Sequence, residues 1–153
     1  MSSEFAIEYR AVAARGWADD ALGRRVAQAR ADVDMAILLE AIRLDRSAVK
    51  DGYFDNTGAE PRYRDAFRDY GLGGEPLDPG RVAERLQASA IKDQLVAALD
   101  DWLSAKRAAG LPTEPLLAAL QQADPDPWRN RLREAFQRRD RNVAPVLGGL
   151  SFN

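Results

Sequence analysis

The chain has 153 residues, 22 basic against 24 acidic, and a hydrophobic fraction of 46%, the size and make-up of one ordinary globular domain. A net charge of -2 provides no bulk attraction to nucleic acid or to an anionic membrane. The lack of both cysteine and histidine excludes disulfides, thiol nucleophiles, the usual zinc ligands and the usual acid/base group of neutral pH.

The N-terminus, Met1-Ser-Ser-Glu-Phe-Ala-Ile-Glu-Tyr-Arg10, carries no apolar run of signal-peptide length, and no later stretch approaches a membrane span, so a cytoplasmic chain with no membrane partner is expected. Abundant Ala, Leu and Arg without sustained alternation of β-branched residues predict helix throughout. The expected fold is all-α: an irregular bundle of about six helices, with one long two-faced N-terminal helix and short antiparallel helical hairpins after it. Its expected organisation is a helical extension over 1–25, one helical domain over 26–140 with a hinge near 71–79, and a disordered tail over 141–153.

The first clear helix is predicted from about Ala18 to about Asp51. On a helical wheel Val26, Val33, Ile37, Ala41, Leu44 and Ala48 form one stripe, and Met35, Leu38, Ile42 and Val49 a second, nearly opposite one. Two apolar sides call for two partners. The first half, with Arg24, Arg25, Arg30, Asp32 and Asp34 around a narrow stripe, reads as a helical stem or a short coiled-coil arm. Gly52 ends this helix, and Tyr53 to Glu60 reads as a loop because Asp55-Asn56-Thr57-Gly58 concentrates turn-formers. That loop lacks the repeated acidic positions and closing Glu of a calcium loop.

Pro61 opens a short helix with Tyr63, Ala66, Phe67 and Tyr70 on one face, closed by Gly71 with Leu72 folding back. Asp78 followed by Pro79 is an N-cap with proline at the first helical position, and Val82, Ala83 and Leu86 make that helix's apolar face. From Ala90 to about Ala109, Ile91, Leu95, Ala98, Leu99, Trp102 and Leu103 recur at helical spacing before Gly110 and Pro112. A fifth helix follows Thr113, and a sixth starts where Asp126 caps and Pro127 leads into Trp128, Leu132, Ala135 and Phe136. Val143-Ala144-Pro145 and Gly148-Gly149 are expected to break helix. The candidate core is Ile37, Leu38, Ile42, Tyr63, Phe67, Tyr70, Leu95, Leu99, Trp102, Trp128, Leu132 and Phe136. Trp17, Trp102 and Trp128 are unequally spaced, and no 34-residue internal repeat emerges.

Catalytic candidates are few. Asp100 and Asp101 point about 100° apart on a helix and do not converge as an acid/base dyad, so solvated surface is the expected role. Helix capping accounts for Asp124 and Asp126, and Lys50 and Lys92 have no apolar setting that would activate an amine. Gly71-Leu72-Gly73-Gly74 precedes Glu75-Pro76 rather than a helix with Lys and Ser/Thr, so it is no phosphate loop. No enzyme, cofactor or metal is expected. Arg129, Arg131, Arg133, Arg138, Arg139 and Arg141 form the densest basic cluster, but Glu134, Asp140 and the apolar side of Trp128 and Phe136 favour a partner-facing helix over a nucleic-acid grip. Arg129, Arg133, Arg138 and Arg139 are therefore the candidate contacts to a protein partner. The alternative is a small-ligand sensor pocket at Tyr63, Phe67 and Tyr70.

Several runs carry a family likeness: Leu38-Leu39-Glu40-Ala41-Ile42-Arg43-Leu44, Asp51-Gly52-Tyr53-Phe54-Asp55, Tyr63-Arg64-Asp65-Ala66-Phe67-Arg68-Asp69-Tyr70-Gly71-Leu72, and Leu77-Asp78-Pro79. Ala88-Ser89-Ala90-Ile91-Lys92-Asp93, Leu95 through Trp102, and Ala123-Asp124-Pro125-Asp126-Pro127-Trp128-Arg129 continue it, so that the likeness spans roughly 26–140. The segment resembles the helical region between the kinase domain and the C-terminal tetratricopeptide-type repeats of large bacterial serine/threonine protein kinases. The resemblance implies a connecting or docking role, with a kinase or repeat domain as partner. It carries over no kinase chemistry, because the sequence has no glycine-rich nucleotide loop, Val-Ala-Ile-Lys, His-Arg-Asp or Asp-Phe-Gly. The chain ends where such repeats would begin, which reads as a fragment or an orphaned derivative of that architecture.

Overall fold

Proline and glycine punctuate a strongly helix-forming sequence, and the computed structural model follows that punctuation closely. Its described residues are 3–50, 53–54, 58–74 and 77–147, without the side chains of 3, 5, 49–50, 53–54 and 139–147. Six helices run in order: α1 (Ser3–Ser47), α2 (Ala59–Tyr70), α3 (Pro79–Gln87), α4 (Lys92–Ala108), α5 (Glu114–Ala123) and α6 (Pro127–Leu147). The fold is all-α. Among the described residues, the one β feature is a two-residue antiparallel ladder between β1 (Val49–Lys50) and β2 (Tyr53–Phe54), with Val49 opposite Phe54. The turn signals of the Asp51 to Thr57 stretch fall largely outside the described residues.

Local chemistry explains most boundaries. The Asp78 carboxylate accepts from the Gly80 and Arg81 backbone N–H groups and Pro79 takes the first helical position of α3. Gly71 adopts φ 92° at the end of α2, where the Leu72 N–H returns to the Phe67 carbonyl and the Leu72 side chain is buried. Gly110, at φ 69°, ends α4 in the same manner, with the Leu111 N–H on the Lys106 carbonyl. Gly73 lies so close to α2 that a Cβ there would come within 2.5 Å of the Arg68 Cα. Asp126 caps α6 through the Arg129 N–H.

Two ends depart from expectation. Helix α1 starts at Ser3, well before Ala18, and stops at Ser47; its 45 residues make a rod of about 68 Å. Helix α6 continues past Pro145 to Leu147, since a proline in a final turn costs one hydrogen bond without interrupting a longer helix. Positions 148–153 of the expected tail lie outside the described residues.

Helix α4 contacts α1, α2, α3 and α5, and α3 packs along α5. The core collects Met35, Leu39 and Ile42 from α1, Tyr63 and Phe67 from α2, Val82 and Leu86 from α3, Leu95, Leu99 and Trp102 from α4, and Leu116 and Leu120 from α5. Phe67 stacks on Trp102 with ring centroids 5.2 Å apart and planes 9° apart, and Tyr63 stands 6.4 Å from Phe67. The candidate core needs six corrections: Ile37, Leu38, Trp128, Leu132 and Phe136 are exposed, and Tyr70 is half-buried. In α1 the body takes the flank of Met35, Leu39 and Ile42, leaving Ile37 64% exposed. In α6 it takes a polar flank, leaving Trp128 71% exposed.

Truncating Trp102 to Ala is expected to cost about 3–5 kcal/mol in urea unfolding, through lost burial and a cavity at the helix junction. Ile37→Ser is expected to change stability by less than about 0.5 kcal/mol, because the side chain is already in water. Equal losses for the two variants would contradict the assigned faces of α1.

Candidate contact surface

Three polar clusters lock the outer helices to the core and so decide which faces stay open. Asp32 on the inner flank of α1 is buried and accepts from Gln28 Nε2 at 2.7 Å and from the Tyr70 hydroxyl at 2.6 Å. Tyr70 spends its only proton there, so the Ser89 hydroxyl 2.9 Å away donates to the phenol oxygen while accepting from the Ile91 N–H. Arg85 lies over the Tyr70 ring, 5.7 Å from its centroid. Burial, reinforced by Asp32, raises the Tyr70 phenol above its ordinary range.

At the C-terminal end of α1, Arg46 pairs with Asp101, and the Tyr63 hydroxyl donates to the other oxygen of the same carboxylate. Burial first, and then the Asp101 hydrogen bond, push the Tyr63 phenol strongly upward. A third cluster seals the α2–α4 contact: buried Glu60 accepts from Trp102 Nε1 at 3.3 Å, with Lys106 Nζ 3.7 Å away and 4.9 Å above the Trp102 ring.

Helix α6 is held differently. Asn130, Arg133 and Gln137 share one flank at helical spacing, and this polar flank faces the body. Arg133, only 6% exposed, grips Asp100 with two bonds of 2.7 Å, reaches Asp124 at 2.9 Å and donates to Asn130 at 2.8 Å. Arg129 forks onto Asp124 at 2.6 and 2.7 Å, and the Asn130 amide donates to the Asp124 carbonyl. Hydrogen bonds from Arg129 and Arg133 outweigh burial and hold the Asp124 carboxyl below its ordinary range.

These placements correct several sequence expectations. Asp100 and Asp101 diverge as predicted, yet each meets a different structural partner instead of open solvent. Asp124 is an ion-pair centre more than a cap. Arg133 is consumed inside the molecule and presents nothing to a partner; Arg129 is exposed but tied to Asp124, Arg138 is exposed beside Glu134, and the Arg139 side chain lies outside the described residues. Tyr63 and Phe67 are fully buried among core side chains, so they do not line an open ligand pocket; Tyr70 alone borders a shallow groove with Met35 and Arg85.

Two apolar surfaces stand out among the described residues. On α6, Leu132 and Phe136 join Leu103, Arg107 and Arg129 around a mainly apolar groove of about 310 Å³ against α4. On α1, Leu22, Val26, Val33, Ile37 and Leu44 are all more than half exposed along the flank opposite Met35 and Ile42. Sequence reasoning found both α1 stripes but buried the wrong part of them. The spacing of Leu22, Val33 and Leu44, eleven residues apart, was the available signal of a continuous seam. Among the described residues, no helix is long and apolar enough to cross a membrane.

No protein-family model, curated protein or solved structure matches the chain.

Asp124 is depressed in the folded state, so its stabilising contribution is fully present above the ordinary aspartate value of 3.8 and is lost as pH falls through the lower folded value. The stability gap between wild type and Asp124→Asn is expected to be constant from pH 7 to about 5 and to shrink in acid. Arg133→Met, which takes the arginine from Asp100 and leaves Asp124 to Arg129 alone, is expected to cost about 2–4 kcal/mol at pH 7 by chemical denaturation. For Tyr63 the sign reverses: its folded value is raised, so its contribution holds below the free phenol's value of 10.0 and is lost as pH climbs beyond it. Tyr63→Phe is expected to flatten the fall of the melting temperature between pH 9 and 11.

Proposed function

We propose that the chain is a non-catalytic helical contact module, working as a connector in a signalling protein of the kinase-plus-repeat type and acting through protein–protein contact. The observation that carries this reading is the unequal use of α1. One flank of its C-terminal part supplies Met35, Leu39 and Ile42 to the core, while the opposite flank holds a continuous row of exposed aliphatic side chains. Exposed apolar seams of this length are unfavourable in water and are characteristic of interaction surfaces.

The stem that precedes the body supports the same reading. From Glu4 to Ala31 nearly every described side chain of α1 is exposed, so the helix gains little tertiary packing there. Helices are held mainly by burial of an apolar face rather than by propensity, and a partner along this stem supplies that burial. The α6 groove offers a second contact area. Trp128, Leu132 and Phe136 have the aromatic and aliphatic character of interface anchors. The kinase and repeat association rests on the sequence resemblance alone.

The test is affinity capture on immobilised full-length chain, with quantitative mass spectrometry, against a triple variant of the seam (Val26→Ser, Val33→Ser, Ile37→Ser) and a double variant of α6 (Trp128→Ala, Phe136→Ala). The reading expects kinase-type or repeat-containing proteins to be retained by wild type and to fall at least tenfold with one variant, both variants keeping wild-type circular dichroism. Retention indistinguishable between wild type and both variants would sink it.

A further inference from the structure

We infer that the exposed seam of α1 docks on the same seam of a second copy of this chain, antiparallel, with the two-fold axis at Val33. This deepens the contact-module reading and rests on it.

Periodicity gives the geometry. Leu22, Val33 and Leu44 repeat every eleven residues, and Val26 and Ile37 repeat with the same interval. Eleven residues fill three turns at about 3.67 per turn, close to the natural helix, so the seam runs nearly straight along the rod. The body lies on the flank of Met35, Leu39 and Ile42, roughly half a turn away, which leaves room for a second helix along the seam.

Charge selects the partner and its direction. In a parallel, in-register pair, Glu40 and Arg15, which both lie on the seam, would each face their own copy, and like charges there repel. With the chains antiparallel about Val33, Leu22 faces Leu44 of the other copy and Ala29 faces Ile37. Arg25 then comes within one residue of the other copy's Glu40 on one edge of the seam, and Arg30 within two residues of Asp34 on the other edge. A two-fold axis keeps each edge with its equivalent, so these pairs form twice each. Arg25, Arg30 and Asp34 make no ion pair within the chain among the described residues, and Glu40 meets only Arg43, in a pair exposed on both sides. The seam therefore carries unpaired charges of both signs at the positions that an identical antiparallel seam neutralises.

The chain contains no cysteine, so introduced thiols report the geometry directly. Molar mass by light scattering across a concentration series is expected to show a monomer–dimer equilibrium for the full chain. Arg25→Glu with Arg30→Glu is expected to weaken dimerisation at least tenfold, and adding Glu40→Arg and Asp34→Arg to restore it. Equimolar Leu22→Cys and Leu44→Cys chains are expected to form a mixed disulfide dimer on mild oxidation, while Leu22→Cys alone does not. Self-cross-linking of Leu22→Cys in preference to the mixed pair overturns the antiparallel register, and failure of the fourfold charge swap to restore the dimer overturns the pairing. A chain that is monomeric throughout but retains a partner through the seam overturns the second-copy assignment and leaves the contact-module reading standing. One that is monomeric and retains nothing overturns both.

Discussion

The packing of Trp102 against Phe67 is the contact around which the other elements arrange themselves. Trp102 sits near the C-terminal end of α4, the helix that touches α1, α2, α3 and α5, and its ring lies nearly parallel to Phe67 from α2. Burying two large aromatics removes much apolar surface from water, but the indole N–H must then find an acceptor. Glu60 meets that requirement from the first turn of α2, and Lys106 and Arg64 balance its charge. With α2 and α4 fixed, Tyr63 donates to Asp101 of α4, which in turn holds Arg46 of α1. Apolar stacking and charge compensation are thus a single unit: the stack brings carboxylates near the core edge, and those carboxylates fasten the next helix.

The same division of labour, repeated outward, decides where the molecule is open. Helix α1 docks by an apolar triplet bracketed by the Asp32–Tyr70 and Arg46–Asp101 contacts, and this bracketing fixes its rotation about its own axis. Rotation by about half a turn would bury Val33 and Ile37 but carry Asp32 and Arg46 away from the body, losing the Tyr70–Asp32 hydrogen bond and leaving Asp101 without Arg46. In α6 the contact with the body is made through ion pairs and hydrogen bonds. Asp100 and Asp124 need a buried cation, Arg133 supplies it, and the aromatic flank of α6 is turned away as the geometric consequence. Surface pairs such as Arg43–Glu40, exposed on both sides, contribute little by comparison.

Function, on this view, follows from a mismatch between the apolar surface that the sequence provides and the part the body can use. The body satisfies one flank of α1 and the polar flank of α6. The remaining aliphatic seam and the α6 aromatics stay exposed. Charges that are exposed or without an ion pair among the described residues flank the seam, and their arrangement discriminates between orientations of a neighbouring helix better than the aliphatic residues alone, which accept several registers.

Local chemistry made much of this legible in advance. Asp78-Pro79, Asp126-Pro127, Gly71-Leu72 and Gly110 act on their own immediate backbone, so the caps and stops they imply did not depend on anything distant. The i, i+3, i+4 spacing of Tyr63, Ala66 and Phe67 likewise fixed a buried face, because a short helix has only one. Periodicity also established that α1 carries two apolar stripes. The sequence by itself determined which residues share a face and where the capped and glycine-stopped inner helix ends fall. Only the tertiary structure decided which face each long helix turns inward, since that choice depends on carboxylates such as Asp100, Asp101 and Asp124 that reach arginines 33, 55 and 9 residues away in the chain. A helical wheel holds no information about such distant charges, and Arg133 and Asp124, both buried, cannot be left without their partners.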